Sequence, residues 1–451
     1  MYKIYTHYNE MINYLITRRN CNEQNLYDLI NGIFSAYGNM IKCYIVEEYI
    51  ESEWLDVYSV YYCKQRYNIP HTTLRIHILN QEIETIKEIT SDNYYGYLTL
   101  RPICNNDLSI SRIRLRYYPS YYESKKLFVI EYKTKVSFPH IKIEYISFPF
   151  FRQDGMVTVC ANADMHMLIK LMHKVHGFNQ YGITNILNQL NSSLGRDIPN
   201  EGLSIFEMVY ALKSRGFNPM LTQFKNAKYQ LDGKEHLYTI FDFLDTMIES
   251  NLPVILAYAQ HVVVIAGVTY NKNDKIDRYL VFDDSGYHIS SLVDFEKRDK
   301  FPNFSRLIKK DTLEQVLISK DKNKEISSFV IVPTYKSLFY RYKYVSYFVN
   351  DIYSKMIDED DEIDFRIILV DSKILKIHLV DIGIDDYNDV LFPRYVWFVE
   401  FYNTLGVLRI MVIDAMAHQH KLLPPVIKNS YGNFYVDVKG VKKLTLLKEL
   451  S

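Results

Sequence analysis

Cys160, His261 and Asp283 are residues whose types and neighbours suit nucleophilic catalysis. In such chemistry a cysteine thiolate attacks a carbonyl carbon, a histidine moves the proton, and a carboxylate holds the imidazole in the right tautomer. Cys160 stands at the predicted start of an amphipathic helix. Backbone N–H groups at such a position favour the thiolate form and can donate hydrogen bonds to an oxyanion. One position therefore meets two requirements of acyl transfer.

His261 and Asp283 belong to two predicted strands that follow one another along the chain. His261 opens the strand HVVVIAGV, just after PVILAY and the link AQ, and the next strand, RYLVFDD, ends in Asp283 and Asp284. A carboxylate at that strand end is predicted to lie beside the histidine and accept its Nδ1–H. Gln153, seven residues before Cys160, carries an amide that can serve as a second oxyanion donor.

Each of these residues also has a purely structural interpretation. Cys160 alone would most often be a small buried hydrophobic residue, as free cysteines usually are. Gln153 could serve only its loop, and Asp283 with Asp284 could form an ordinary turn before Gly286. The residues favour catalysis as a set, because each falls at the right kind of element boundary and they occur in a suitable order.

The surrounding patterns predict an α+β fold. Before residue 140, stretches such as TTLRIHILN, YLTLRPI and LFVIEYKTKV alternate apolar and polar residues, as strands with one buried face do. The helix that begins at Cys160 is predicted to end near Gly177, and two more helices are expected in GLSIFEMVYALKSRGF and LYTIFDFLDTMIESN. Four strands follow: PVILAY, HVVVIAGVTY, RYLVFDD and SSFVIVP. Beyond Pro333 we expect a helix and the strands FRIILVDS, ILKIHLV, YVWFVEFYN and VLRIMVIDA.

These changes of pattern divide the chain into three predicted domains. Residues 1–140 form a β-rich accessory domain, and residues 141–335 form a central domain whose nucleophile helix packs on an antiparallel sheet. Residues 336–451 form an α/β accessory region, which could instead complete the sheet of the central domain.

The central segment resembles a known family. FRQDGMVTVCANADMHMLIKLM resembles the glutamine–loop–cysteine–helix opening of papain-like cysteine peptidases, and is most similar to the bacteriocin-processing (double-glycine leader) peptidase-like group. GLSIFEMVYALKSRGF, SNLPVILAYAQHVVVIAGV and YLVFDDSG are similar to the later helix, strands and Asp-turn of that group. The resemblance covers less than half of the chain and implies a papain-like central domain.

The resemblance also implies the roles of the candidate site residues. These are Gln153 as the oxyanion-hole glutamine, Cys160 as the nucleophile, His261 as the base and Asp283 as the orienting acid. Asp284 stands where the family often has proline, so the choice between the two aspartates stays open. Ala161 stands where a glycine often follows the nucleophile, and it either narrows the oxyanion region or is neutral.

The expected function is that of a cysteine peptidase or related thiol amide hydrolase acting on a peptide or protein substrate, with no metal or organic cofactor. Acyl transfer to an amine and glutamine deamidation would use the same residues. A catalytically inactive papain-like module that binds or assembles with a protein is an alternative from a different class. The flanking regions are expected to contact the substrate or a protein partner.

Composition argues against several other classes. Lys plus Arg and Asp plus Glu number 53 each, so the chain lacks the basic field typical of nucleic-acid binding. The start of the chain has no signal-like apolar core, and no run reaches the roughly 18 apolar residues of a membrane helix. Five cysteines without a CxxC pair indicate a reducing, cytoplasmic setting. His166, His173 and His176 lack a carboxylate at HExxH spacing and are interpreted as packing or surface residues.

Overall fold

The computed structural model is a mixed α+β structure with several antiparallel sheets, which confirms the predicted fold class at this level. The residues that it describes are 2–19, 26, 40–66, 68–103, 108–115, 126–154, 158, 160–188, 202–229, 237–258, 261–271, 275–284, 305–318, 325–357, 363–381, 391–403, 406–418 and 436–441. The chain forms two compact units, Met1–Ala211 with Ile255–Val316, and Leu212–Val254 with Leu317–Ser451. The division into three domains stays a prediction.

A five-stranded antiparallel sheet, its strands in chain order, opens the first unit. The strands are β1 (Tyr2–Tyr5), β2 (Cys43–Tyr49), β3 (Thr73–Leu79), β4 (Tyr94–Pro102) and β5 (Leu108–Leu115). Helices α1 (Tyr8–Arg19) and α2 (Ser52–Val60) lie between the early strands in sequence. The hairpin of β7 (Tyr132–Ser137) and β8 (Lys142–Ser147) shows the predicted alternation directly, because every second residue of β7 is buried.

The second sheet of this unit carries the strands around His261. It consists of β12 (Val254–Tyr258), β13 (His261–Tyr270), β14 (Ile276–Phe282) and β15 (Ser305–Lys309), with β6 (Lys126–Val129) paired to β13. The ladders of β13 with β14 and with β6 are antiparallel. Gly267 lies where β6 approaches β13, and a Cβ there would lie 2.7 Å from the carbonyl oxygen of Phe128. A side chain at this position would therefore push β6 away.

Helix α3 (Cys160–His176) packs on β13 and is buried along most of its length. It ends before Gly177, whose φ of +71° is the left-handed conformation expected of a C-cap glycine. Helices α4 (Ile183–Asn188), which was not predicted, and α5 (Ile205–Ser214), which is the helix predicted in GLSIFEMVYALKSRGF, follow, and α5 ends before Gly216. Both predicted helix ends at glycine are confirmed. Among the described helices, none has the length and apolarity needed to cross a bilayer.

The second unit contains two antiparallel groups of strands. The first orders β11 (Tyr238–Thr239), β10 (Lys228–Tyr229), β9 (Met220–Lys225) and β16 (Ser327–Val332) side by side. The second orders β17 (Asp364–Asp371), β18 (Tyr395–Asn403), β19 (Gly406–Asp414) and β20 (Val436–Val441) as in the chain. Its helices include α6 (Ile240–Glu249) and α8 (Tyr342–Ile357), and both pack against β17. Helix α7 (Lys310–Leu317) lies between β15 and β16 in sequence.

One predicted strand is wrong. The segment ILKIHLV lies in helix α9 (Ser372–Asp381) and not in a strand. Leu375 and Leu379, four residues apart, face the core, whereas Ile377 and Val380 remain about half exposed. The apolar residues of this segment fit a helical face as well as an alternating strand, and packing against β17 and its neighbours favours the helix.

Candidate active site

Cys160 is half-buried at the first position of α3, as the sequence predicts. The loop before it is closed by two reciprocal bonds between Asp154 and Thr158. The backbone N–H of Asp154 donates to Thr158 Oγ1 at 3.1 Å, and the backbone N–H of Thr158 donates to Asp154 Oδ1 at 2.9 Å. Backbone N–H groups at the start of a helix, such as that of α3, are available to an anion.

His261 and Asp283 meet at one end of the β13–β14 ladder. Val264 pairs with Phe282 in that ladder, so His261, which begins β13, and Asp283, which follows β14, lie at the same sheet end. His261 Nε2 lies 3.1 Å from Asp283 Oδ1, and the two residues are only 8% and 4% exposed. The contacted nitrogen is Nε2, and not the Nδ1 expected from the sequence. The Cys160 side chain is a further hydrogen-bond partner of this ring.

The charges around His261 favour its protonated form. Burial lowers the pKa of this imidazole, but hydrogen bonds to Asp283 and to the Cys160 side chain outweigh burial. With the added charges of Asp283 and Asp284, the pKa of His261 rises to about 10. An imidazolium beside a thiol is the arrangement that stabilises a thiolate.

The free energy of unfolding is expected to fall as the pH rises from about 6.5 to about 10. Folding raises the pKa of His261 from 6.5 to about 10, so in this range the folded protein holds a proton that the unfolded chain releases. This stabilisation is complete below about pH 6.5 and is lost as the pH passes the folded value. Asp283→Asn removes the hydrogen-bonding charge and should flatten the slope. Thermal unfolding of chelator-treated protein at a series of pH values from 6 to 10 measures this slope of stability against pH.

Asp92→Asn is the matched control, because it makes the same chemical change at an exposed aspartate of the same unit. Its pH slope should equal that of the unchanged protein. An equal slope in the Asp283→Asn variant as well would mean that the His261–Asp283 contact does not hold the proton.

His261, Asp283 and Asp284 form a buried group, called the corner below. Two further residues near this corner were not identified from the sequence. Asp164 is fully buried, and burial together with the charges of Asp284, Cys160 and Asp283 raises its pKa well above the ordinary value. Tyr258, at the end of β12, sets its ring edge-on to that of His261 at 6.2 Å between centroids. The position of Asp164 one helical turn after Cys160 was the available signal, because residues four apart share a helix face.

The two candidate aspartates both lie in the corner. Asp283 makes the hydrogen bond to His261, and Asp284 is fully buried and adds its charge. Asp283 therefore has the geometry of the orienting acid, although its role in catalysis stays a prediction. The turn expected at Ser285 and Gly286 lies outside the described residues.

Gln153 is half-buried in the loop that leads to α3. Within the described part of the chain its side-chain amide makes no hydrogen bond, and no measured contact joins it to Cys160 or His261. Its assignment as an oxyanion donor stays a prediction.

A buried group of charges supports α3 from the N-terminal part of the same unit. Glu53 of α2 makes an ion pair with Lys170 Nζ, and its Oε1 lies 3.2 Å from His166 Nε2. All three residues are at most 6% exposed. Residues of the supposed accessory region thus hold the helix that begins with Cys160. His166 serves this packing, and His173 instead contacts the carbonyl of Phe178.

Aromatic and cationic side chains also hold the loop before Cys160. The ring of Phe151 packs edge-on against His166 at 5.1 Å, and the Arg101 guanidinium lies 4.3 Å from the Phe151 ring centre. Arg101 Nη2 donates to the carbonyl oxygen of Arg152 at 2.5 Å. The β-rich sheet, which carries Arg101 on β4, therefore positions the segment next to Gln153.

No family model matches the chain, and neither does any curated protein. Among the solved structures that align with it is the crystal structure of UfSP from C. elegans, at 13% sequence identity and a TM-score of 0.29. The alignment covers 48% of this chain and 35% of that one, so this chain matches about a third of the length of UfSP. A TM-score this low does not establish a shared fold. The papain-like and bacteriocin-processing relationships therefore stay predictions.

Proposed function

We propose that the chain is a cysteine peptidase or related thiol amide hydrolase with a papain-like central domain, akin to the bacteriocin-processing group. The observation that carries the proposal is one line of side-chain contacts. The Cys160 side chain, at the first position of α3, is a hydrogen-bond partner of the His261 ring, and His261 Nε2 lies 3.1 Å from Asp283 Oδ1. Nucleophile, base and orienting acid in this order are what acyl transfer through a thiol requires.

In this mechanism the Cys160 thiolate attacks the carbonyl carbon of a peptide or related amide. The oxyanion is stabilised by backbone N–H groups at the start of α3 and, in our proposal, by the Gln153 amide. His261 gives its proton to the leaving amine, which breaks the C–N bond and leaves a thioester on Cys160. Water, deprotonated by His261, then attacks the thioester and releases the acid. Asp283 holds the ring through Nε2.

The same residues would serve acyl transfer or deamidation if an amine replaced water, or if a glutamine side chain were the substrate. Mass spectrometry of reacted protein substrates separates these outcomes, because cleavage, cross-linking and deamidation change the mass differently. We propose that the flanking regions contact the protein substrate or a protein partner in a cytoplasmic setting.

Alkylation by iodoacetamide at about pH 5.5 tests whether the thiol is activated. Only a thiolate reacts, and roughly one in a thousand ordinary thiols is ionised at that pH. Cys63 is an exposed free cysteine and serves as an internal control in the same molecule. We expect Cys160 to react at least tenfold faster than Cys63, measured by peptide mapping of each cysteine over time.

His261→Ala is expected to slow the alkylation of Cys160 by about 10- to 100-fold at this pH, because the imidazolium partner is lost. The rate at Cys63 should not change. Equal rates at Cys160 and Cys63 in the unchanged protein would favour an inactive binding module instead.

A further inference from the structure

The corner that holds His261 contains more acid than a catalytic triad needs. One ligand atom from each of His261, Asp283 and Asp284 lies within 4.8 Å of the others, and all three residues are buried. A triad requires a single carboxylate to orient the imidazole. A second buried carboxylate is costly unless a proton or a cation compensates its charge.

Asp164 provides a second and independent observation. It is 0% exposed, and within the described part of the chain neither of its carboxyl oxygens has a hydrogen-bond partner. It interacts electrostatically with Asp284, Cys160 and Asp283, so it belongs to the same corner. It comes from α3, whereas the other two aspartates follow β14. Two elements far apart in the chain thus bring buried carboxyl groups within electrostatic range of one another and of the Cys160 thiol.

We propose that this corner is also a binding site for a divalent transition-metal ion, zinc above all, which blocks the thiol when it is bound. The ligands would be the Cys160 sulfur, a ring nitrogen of His261 and carboxylate oxygens of Asp164 and Asp284. Sulfur, imidazole and carboxylate together are the donor set that zinc accepts, whereas magnesium and calcium take oxygen ligands.

The distances suit a small ion. Zinc bonds of about 2.0–2.3 Å place the donors of a tetrahedral site roughly 3.4 Å apart. Donor atoms of His261, Asp283 and Asp284 lie within 4.8 Å of one another, and side-chain rotation on binding would bring the Cys160 sulfur and the Asp164 carboxylate to the same ion. Asp283 can keep its bond to Nε2 of His261 and so orient the imidazole, as carboxylates do behind histidine ligands at zinc sites.

Metal binding and hydrolysis exclude each other at this site. The ion takes the lone pair of the Cys160 sulfur and that of the His261 nitrogen, and any proton on either atom is released to water. Neither a nucleophile nor a base then remains. The inference requires only the donor groups, so it does not depend on the proposed hydrolase activity.

Cobalt(II) titration of the full chain, stripped of metal by a chelator, tests the site. We expect one equivalent of cobalt to bind with a thiolate-to-cobalt charge-transfer absorption, which zinc displaces and which Cys160→Ser removes. Asp164→Asn and Asp284→Asn should each weaken cobalt binding by roughly 10- to 100-fold. Asp92→Asn, at an exposed position, should leave the affinity unchanged. Absence of the absorption, or unchanged affinity in both buried-site variants, would overturn the proposal.

A measurement on the unchanged protein covers the case in which the buried-site variants do not fold. Zinc should protect Cys160 from iodoacetamide without protecting the exposed Cys63, and a chelator should restore the reaction. Rapid alkylation of Cys160 that zinc does not slow would refute the metal site and leave the hydrolase proposal standing. Slow alkylation of Cys160 in the chelated protein would refute the activated thiol, while cobalt absorption would still report the metal site.

Discussion

Alanine in place of Cys160 is expected to abolish the release of nitrophenolate from p-nitrophenyl acetate above the rate in buffer. The unchanged protein should show a burst of about one equivalent as the Cys160 thioester forms. Loss of the nucleophile removes covalent catalysis altogether, and on a good substrate such a loss is on the order of 10⁶-fold in kcat. Stopped-flow absorbance measures the burst.

Cys63→Ala is the control for this experiment, because Cys63 is a free and exposed thiol of the same unit. That variant should keep the full burst. The Cys160→Ala variant should still unfold in one cooperative thermal transition, since a half-buried thiol is replaced by a smaller side chain that the fold accommodates. If the burst persisted in the Cys160→Ala variant and disappeared in the Cys63→Ala variant, the acyl group would form on Cys63. That result would contradict the proposal.

Glu53→Ala is expected to destabilise the protein by about 3–5 kcal/mol, because it removes the ion-pair partner of the buried Lys170 ammonium and leaves the charge of buried Glu51 as the remaining compensation. Burial lowers the pKa of Lys170 to about 7, so the lysine is charged and most dependent on Glu53 below that pH. Urea unfolding at pH 6 measures the loss. The alkylation rate of Cys160 should fall with it, since Glu53 holds the helix that Cys160 begins.

Glu48→Ala is the matched control, because Glu48 pairs with Arg18 at the surface. Exposed ion pairs contribute at most about 1 kcal/mol, so this variant should unfold almost as the unchanged protein does. Replacing both partners of the buried pair, as Glu53→Ala with Lys170→Met, should recover much of the loss by removing the unpaired charge. A Glu53→Ala variant as stable as Glu48→Ala would show that the buried pair does not hold α3.

The sequence alone was enough to predict the α+β class, the start of α3 at Cys160 and its end at Gly177. It was also enough to place His261 at the start of a strand and Asp283 at the end of the next one, whereas in the structure that strand ends at Phe282. These features depend on local signals: the helical period of the apolar residues, the conformational freedom of glycine and the alternation along a strand. Such signals are present within a short stretch of chain.

Only the tertiary structure decided which side chains surround the site. Asp164 interacts electrostatically with Asp284, and Glu53 pairs with Lys170 from more than a hundred residues away, because folded elements bring distant residues together. Long-range packing also decides that ILKIHLV forms helix α9. Leu375 and Leu379 are buried against residues of β17, β18 and β19, which surround them only in the folded unit. Tertiary contacts decide which side chains are buried, which groups pair with a charge, and which ring nitrogen of His261 contacts Asp283. A pattern of residue types does not encode these contacts.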